Sequence, residues 1–532
     1  MPAFQSTAIH TRSLSILALL AFFCALAGPS FSQDVVTYHN TNLRTGLNSK
    51  ETILTPANVN SATFGKLFTI PVDGRVDAEP LYLSAVTIAG VGHNVLIVVT
   101  EHDSVYAFDA DTGKQIWHVS TLKSGETTSD DRGCSQVAPE IGITATPAIY
   151  RFAGSDPVIY VVAMSKDTAG KYHQRLHALD AINGSELHNG PVDIQAKFPG
   201  TGDNSSGGYV IFDPAQYKER AGLLRLSGTV YLAFASHCDK RPYTGWVMGY
   251  NSNTLAQTTV LNLTPNGNEG AIWQAGAGMA ADGAGNIFLL DANGDFDTTL
   301  NASGFPADGD YGNAFLRLTT AGGLAVADYF QMDNQSDENG NDIDLGSGGT
   351  LLITQKDVTG KAWNLAVGAG KDGNLYVVDR TSMGKFHSGS NNIYQELQGA
   401  LPGGIWSMPA SFLGKIYYGP VGSPILAFQF RNAKLLSAPV AQTSNAFGYP
   451  GATPSVSANG NTNGIVWAVE NVNPAVLHAY NALTLLELYN SNQAANGRDH
   501  FGNGNKFITP TIANGKVYVG TTDGVGVFGV LP

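Results

Sequence analysis

Short apolar runs, each closed by a cluster of turn-forming residues, recur along almost the whole chain. The clearest unit begins at Val95. VLIVVT reads as a buried strand, Glu101-His102-Asp103-Ser104 as a turn and VYAFDA as a second strand. Asp111-Thr112-Gly113 is a tight turn, and Lys114 to Val119 a third strand. A short strand entered through a proline, Glu79 to Leu83, lies just upstream. Four short strands joined by tight turns make one blade of a β-propeller. Helical periodicity is hard to find anywhere in the mature part of the chain.

The unit recurs. TATPAIY from Thr144, LLRL from Leu223, GMAADGAGNIFLL from Gly278, GTLLIT from Gly349, MPASF from Met408, ATPSVS from Ala452 and ITPTIA from Ile508 each open a comparable run of strands. With Glu79 to Leu83 they predict eight inner strands, hence an all-β, eight-bladed propeller, with seven blades as the alternative. The last unit has three strands of its own. The segment GKLFTIPV from Gly65 is expected to supply its fourth, which would remove two exposed sheet edges at once. No linker divides the mature part, so 33–532 reads as a single domain.

Composition agrees. The chain of 532 residues holds 62 Gly and 24 Pro, which says that it turns often. A net charge of −13 with no basic, aromatic-interleaved cluster argues against a nucleic-acid partner, because phosphate binding needs a concentrated basic footprint. At the N-terminus, Arg12 precedes an apolar run from Ser13 to Gly28, followed by Ser30-Phe31-Ser32. This reads as a secretory signal peptide over 1–32, cleaved near Gln33. The expected location is therefore secreted or periplasmic, with no membrane span in the mature chain; an uncleaved anchor is the alternative. Only Cys134 and Cys238 remain after cleavage, and in an oxidising compartment a disulfide between them is expected. No Cys-x-x-Cys-His site for a c-type haem is present.

VYAFDADTGKQIW, from Val105 to Trp117, resembles the repeat of the quinoprotein (PQQ-repeat) alcohol dehydrogenase-like propellers. The resemblance implies that Ala107, Gly113 and Trp117 lock neighbouring blades by packing ring on peptide. A second stretch, LLDANGDFDTTLNASGFPADGDYGNAFLRL from Leu289, resembles the family's Gly-Asn and Gly-Asp-Asn segments. It implies Asn293 as a calcium-ligand asparagine and Asp310 as the catalytic base. GKDGNLYVVDR from Gly370 and GGIWSMPASF from Gly403 place Lys371 at the quinone carbonyls and Trp406 beside the cofactor. No Glu stands where the family has its calcium glutamate; Asp239, in SHCDKRPYTGWVMGY, is the nearest carboxylate. The implied cofactors are PQQ and Ca²⁺, with Asn293, Asp239 and Asp310 at the metal.

Read without the family, the same residues fall where loops open on one propeller face. A quinone site needs an oxygen-rich cage for Ca²⁺, a cation at the quinone oxygen and a carboxylate for the substrate hydroxyl proton. The plainer reading is that Asp295, Asp297, Asp308 and Asp310 cap turns, or that Asp291-x-Asn293-x-Asp295-x-Asp297 holds a structural calcium. His177 and His478 occupy equivalent repeat positions and read as packing residues. Three functions are carried forward. The first is a PQQ/Ca-dependent oxidoreductase acting on alcohol or sugar hydroxyls and passing electrons to a separate acceptor. The second is a non-catalytic propeller binding a protein or glycan ligand through its loop face. The third is a polysaccharide hydrolase or lyase.

Overall fold

Each of the eight expected inner strands begins a separate antiparallel sheet of four strands or more. The computed structural model describes residues 1–2, 34–152 and 155–532. The apolar run of the expected signal peptide lies outside the described residues. In chain order the sheets are centred on the hairpins Val91–Val99/Ser104–Asp109, Val158–Lys166/Tyr172–Asp180, Thr229–Ala235/Trp246–Asn251, Asn286–Leu290/Phe315–Thr319, Ala362–Ala369/Leu375–Asp379, Lys415–Tyr418/Leu426–Arg431, Thr462–Glu470/Val476–Asn481 and Lys516–Gly520/Gly524–Val530. They are called sheets 1 to 8 below. A small three-stranded sheet (Lys197–Pro199, Ser205–Ser206, Tyr209–Ile211) is inserted between sheets 2 and 3.

Both faces of the central strands are apolar because each sheet is packed on two neighbours. A buried cluster joins sheets 2 and 3 around Tyr160, Leu232 and Trp246. Others join sheets 3 and 4, 4 and 5, 5 and 6, 6 and 7, and 7 and 8. The largest cluster mixes residues of sheets 8, 1 and 2, so the last sheet packs on the first. Sheet 8 takes its fourth strand from the N-terminal side, where Phe64–Pro71 pairs antiparallel with Gly524–Val530. An early and a late segment of the chain are thereby held in one sheet, as the GKLFTIPV segment suggested.

The seams explain the repeat's glycines. Trp117 of sheet 1 donates its indole N–H to the Ala181 carbonyl of sheet 2 at 2.9 Å. A Cβ on Gly184 in that turn would sit 2.9 Å from the Trp117 ring, and one on Gly113 would meet the Phe68 ring of sheet 8 at 2.8 Å. Both glycines have positive φ, so the tight turn and the close approach each exclude a side chain. His177 and His478 are buried against Glu186 and Glu487 at matching places, the packing role expected of them.

Candidate functional site

The loops that precede the inner strands, with those that follow the second strands, enclose a cavity of about 520 Å³. Its wall draws on every part of the ring: Asp77 before sheet 1, Gln136 after it, Lys218, Arg220 and Asp239 of sheet 3, Trp273 before sheet 4, Asp342 and Asp344 before sheet 5 and Lys371 within it, then Trp406, Tyr449, Lys506 and Phe507.

Asp239, Lys371 and Trp406 line this cavity, as three of the five residues singled out in the sequence. Asn293 adjoins it. Its backbone N–H donates to Asp344 Oδ1 at 2.8 Å and its Nδ2 to Asp342 Oδ1 at 3.1 Å, while its buried Oδ1 has no hydrogen-bond partner. Asp310 is not in the cavity wall. It is buried and accepts the Asn266 N–H at 2.9 Å, bracing the loop that precedes sheet 4. The run from Asp291 to Asp297 likewise disperses: Asp295 accepts from Asn268, and Asp297 from Thr299 and Asp308. No cluster of three or more His, Cys, Asp or Glu able to hold a metal occurs among the described residues.

Two carboxylates of the wall flank Lys371, Asp342 and Asp344, and the buried one is Asp344. Its Oδ2 lies 2.7 Å from Lys371 Nζ. Burial raises its pKa to about 6, against the pull of that ammonium. Burial alone would lower Lys371, but Asp344 and Asp342 more than offset this and hold the ammonium charged. Asp344 sits two residues after Asp342 at the root of sheet 5, and no repeat signature marks it.

The wall also carries cations that have no carboxylate in contact. Lys218 and Arg220 are 6% and 4% exposed, neighbours on one strand edge, and both face the cavity. Neither side chain donates a hydrogen bond or forms an ion pair within the described residues; the Arg220 guanidinium lies over the Phe507 ring at 5.0 Å. Burial, aided by Arg220, lowers the Lys218 pKa to about 8. Lys506 joins them and donates to Gln136 at 3.0 Å. Cys134 and Cys238 form the expected disulfide, with Cα atoms 5.5 Å apart, and it ties the loop of Gln136 and Val137 to the loop of Ser236 and Asp239. Ser236 Oγ and Tyr243 OH both donate to Asp239 Oδ1 at 2.9 Å, fixing that carboxylate at the wall.

No family model matches the chain, and no curated protein sequence does. Solved structures do. Quinohemoprotein alcohol dehydrogenase from Comamonas testosteroni superposes with a TM-score of 0.60 at 16% identity, over 95% of this chain and 81% of that one. Quinohemoprotein alcohol dehydrogenase ADHIIG from Pseudomonas putida HK5 gives 0.60 at 14%, over 94% and 80%. A europium-containing methanol dehydrogenase gives 0.59 at 14%, over 93% and 98%. The chain has the quinoprotein-propeller fold. The sheets around the cavity are therefore blades set about an axis, and the cavity is the axial funnel. Among the described residues no helix is long and apolar enough to cross a membrane.

Proposed function

We propose that the protein is a secreted or periplasmic, eight-bladed quinoprotein-type oxidoreductase that binds PQQ in the axial funnel and oxidises the hydroxyl of an alcohol or sugar. One observation carries the reading: Lys218 and Arg220 are buried, charged and unpaired. A buried cation with no hydrogen bond or contacting carboxylate costs on the order of several kcal/mol, and a cavity that keeps two of them favours an anion. PQQ is a planar polycarboxylate, and Trp273 and Trp406 in the same wall offer faces on which a flat ring stacks. When bound, such a quinone supplies the hydride acceptor that no side chain can provide.

The chain's own groups supply the rest. Asp344 accepts the substrate hydroxyl proton, since a carboxyl with a pKa of about 6 is ionised yet still basic near neutral pH. Lys371 holds Asp344 in place and presents a positive charge at the same point of the cavity. Lys218, Arg220 and Lys506 bind carboxylates. Calcium fits less completely. Asn293 Oδ1 and Asp239 are the protein oxygens that would face it, and 6–8 are typical, so most of its shell would have to come from the ligand and water. Electrons would leave to a separate acceptor.

Purified mature protein mixed with PQQ and Ca²⁺ is expected to take up the quinone spectrum and to oxidise an alcohol or sugar through an artificial electron acceptor. No binding at micromolar PQQ would overturn the reading. Asp344→Asn is expected to keep the quinone and lose turnover by roughly 10²–10⁴-fold. In the wild type, turnover should fall with the ionisation of that carboxyl as the pH drops below about 6. An unchanged rate in Asp344→Asn would remove it from the mechanism.

A further inference from the structure

The inner strand of a blade is a sheet edge facing the axis, and unpaired edges are a liability. Here one stretch of chain satisfies them in turn. Val35 exchanges both backbone hydrogen bonds with Tyr82 of sheet 1, at 2.8 and 2.9 Å. The Val36 carbonyl accepts Ile149 N–H of sheet 2 at 2.8 Å. Asn42 donates its side-chain amide to the Arg225 carbonyl of sheet 3 at 3.0 Å, while its own carbonyl accepts Ala281 N–H of sheet 4 at 2.7 Å. Leu43 takes Leu352 N–H of sheet 5 and Thr45 takes Ser411 N–H of sheet 6, both at 2.9 Å. Gly46 takes Val456 N–H of sheet 7 at 2.7 Å, and Leu47–Asn48 pairs parallel with that strand. Asn48 and Glu51 then bond Ile512 and Gly515 of sheet 8, at 2.8 and 2.9 Å. The order of contacts is the order of the blades. Positive φ at His39, Asn40, Arg44 and Gly46 supplies the curvature of the ring.

The same segment lies against the roots of the funnel loops. Glu79, two residues after Asp77, accepts the His39 N–H at 2.7 Å. A Cβ on Gly222, two residues after Arg220, would come within 3.1 Å of Tyr38 Cβ. Tyr38 OH bonds Thr509, two residues after Phe507, at 3.2 Å. Arg44 is fully buried and donates to Met279 O, close after Trp273, at 2.9 Å, and back to Tyr38 O and Thr37 Oγ1 at 2.7 Å. His39 Nε2 bonds Pro454 O, close after Tyr449, at 2.9 Å.

We propose that residues 35–51 are an axial clasp: they close the channel beneath the funnel, leave the cavity one mouth, and tie the loop roots of all eight blades into one unit. Tyr38 and Arg44 are its positioning residues. The proposal rests on the backbone ring and needs no quinone. Amide hydrogen exchange on the mature chain tests it directly. Ile149, Ala281, Leu352, Ser411 and Val456 lie in five blades, and their amides are expected to exchange at one common rate in the wild type, set by release of the clasp. In Tyr38→Phe and Arg44→Lys, both mild enough to fold, all five should speed up together by at least tenfold. Amides between Val91–Val99 and Ser104–Asp109 should be unchanged. Unrelated rates at the five amides in the wild type would overturn the proposal. So would an effect in Arg44→Lys confined to Ala281, the nearest of the five to its Met279 contact.

Discussion

Two layers of the axis, a few residues apart along every blade, bury arginine in opposite ways. In the lower layer Arg44 is fully buried and donates to the Met279 and Tyr38 carbonyls and to Thr37, and Glu79 accepts from His39 and Thr511. In the upper layer Arg220 is 4% exposed and its guanidinium donates no hydrogen bond among the described residues. The first pattern is what a fold does with a charge it needs for itself. The second is what a fold does with a charge it holds for something else. Burial alone would not separate the two layers; the disposition of hydrogen bonds does.

The comparison breaks most sharply on Lys218 and Arg220. Replaced together by Met, they should cost the funnel its anion. Each charge-assisted hydrogen bond contributes about 1.5–3 kcal/mol, so PQQ affinity should fall by roughly 10²–10⁴-fold. Thermal stability should hold or rise, since two unpaired buried charges are removed. A large fall in melting temperature in the double variant would mean that these cations belong to the fold, like Arg44, and the distinction between the layers would fail.

Next in size is the disulfide. Replacing both Cys134 and Cys238 by Ser should destabilise the protein by about 2–4 kcal/mol, read from denaturant midpoints. Unlike the cation variants it should lower stability and PQQ affinity together, because both tethered loops carry wall residues, Gln136 on one side and Asp239 on the other.

The buried carboxyls have their own signature in pH. Burial raises Glu79 to about 8, and Glu338, on the short helix Gln335–Gly340, also to about 8. In the unfolded chain both would ionise near pH 4. Over the interval between, the folded state binds more protons than the unfolded one, so stability falls as pH rises. His39 and His237 are lowered by burial and oppose this, but only below their unfolded pKa of about 6.5. The free energy of unfolding should therefore drop from about pH 6.5 to about pH 8, by an amount on the order of 1–2 kcal/mol per carboxyl, and the melting temperature with it. Glu79→Gln should flatten part of that slope; a slope of opposite sign would mean that the buried carboxyls are ionised.

Much of this was legible in the chain, and the parts that were not share a cause. Strand runs, turns and the closing segment from Gly65 are local patterns, so the eight inner strands and the pairing of Phe64–Pro71 with the last blade could be read directly. Lys371 and Trp406 could be placed because they lie inside short motifs, and Asp239 because a carboxylate was sought near one place. Lys218, Arg220 and Trp273 carry no motif; they matter because the fold brings two segments more than fifty residues apart to one cavity. The clasp was invisible for the same reason. Residues 35–51 show neither strand alternation nor helical period, since their hydrogen bonds go to eight different sheets in succession.

Asp310 gives the smallest and most discriminating prediction. The motif pointed to it, and burial raises its pKa to about 6, the same value as Asp344. By titration the two aspartates are equals. They differ in what they face: Asp344 lines the funnel with Lys371 at 2.7 Å, whereas Asp310 is outside the lining and holds the Asn266 N–H. Asp310→Asn keeps an acceptor oxygen for that N–H and removes a buried carboxyl. It should leave turnover within about twofold of wild type and shift stability by about 0.5–1.5 kcal/mol at most, the range for one hydrogen bond. Measured beside Asp344→Asn, it separates a carboxyl that is perturbed because it is buried from one that is perturbed and also aimed at a substrate. If Asp310→Asn abolished turnover and Asp344→Asn did not, the motif would have been the better guide than the geometry, and the base would lie outside the funnel lining.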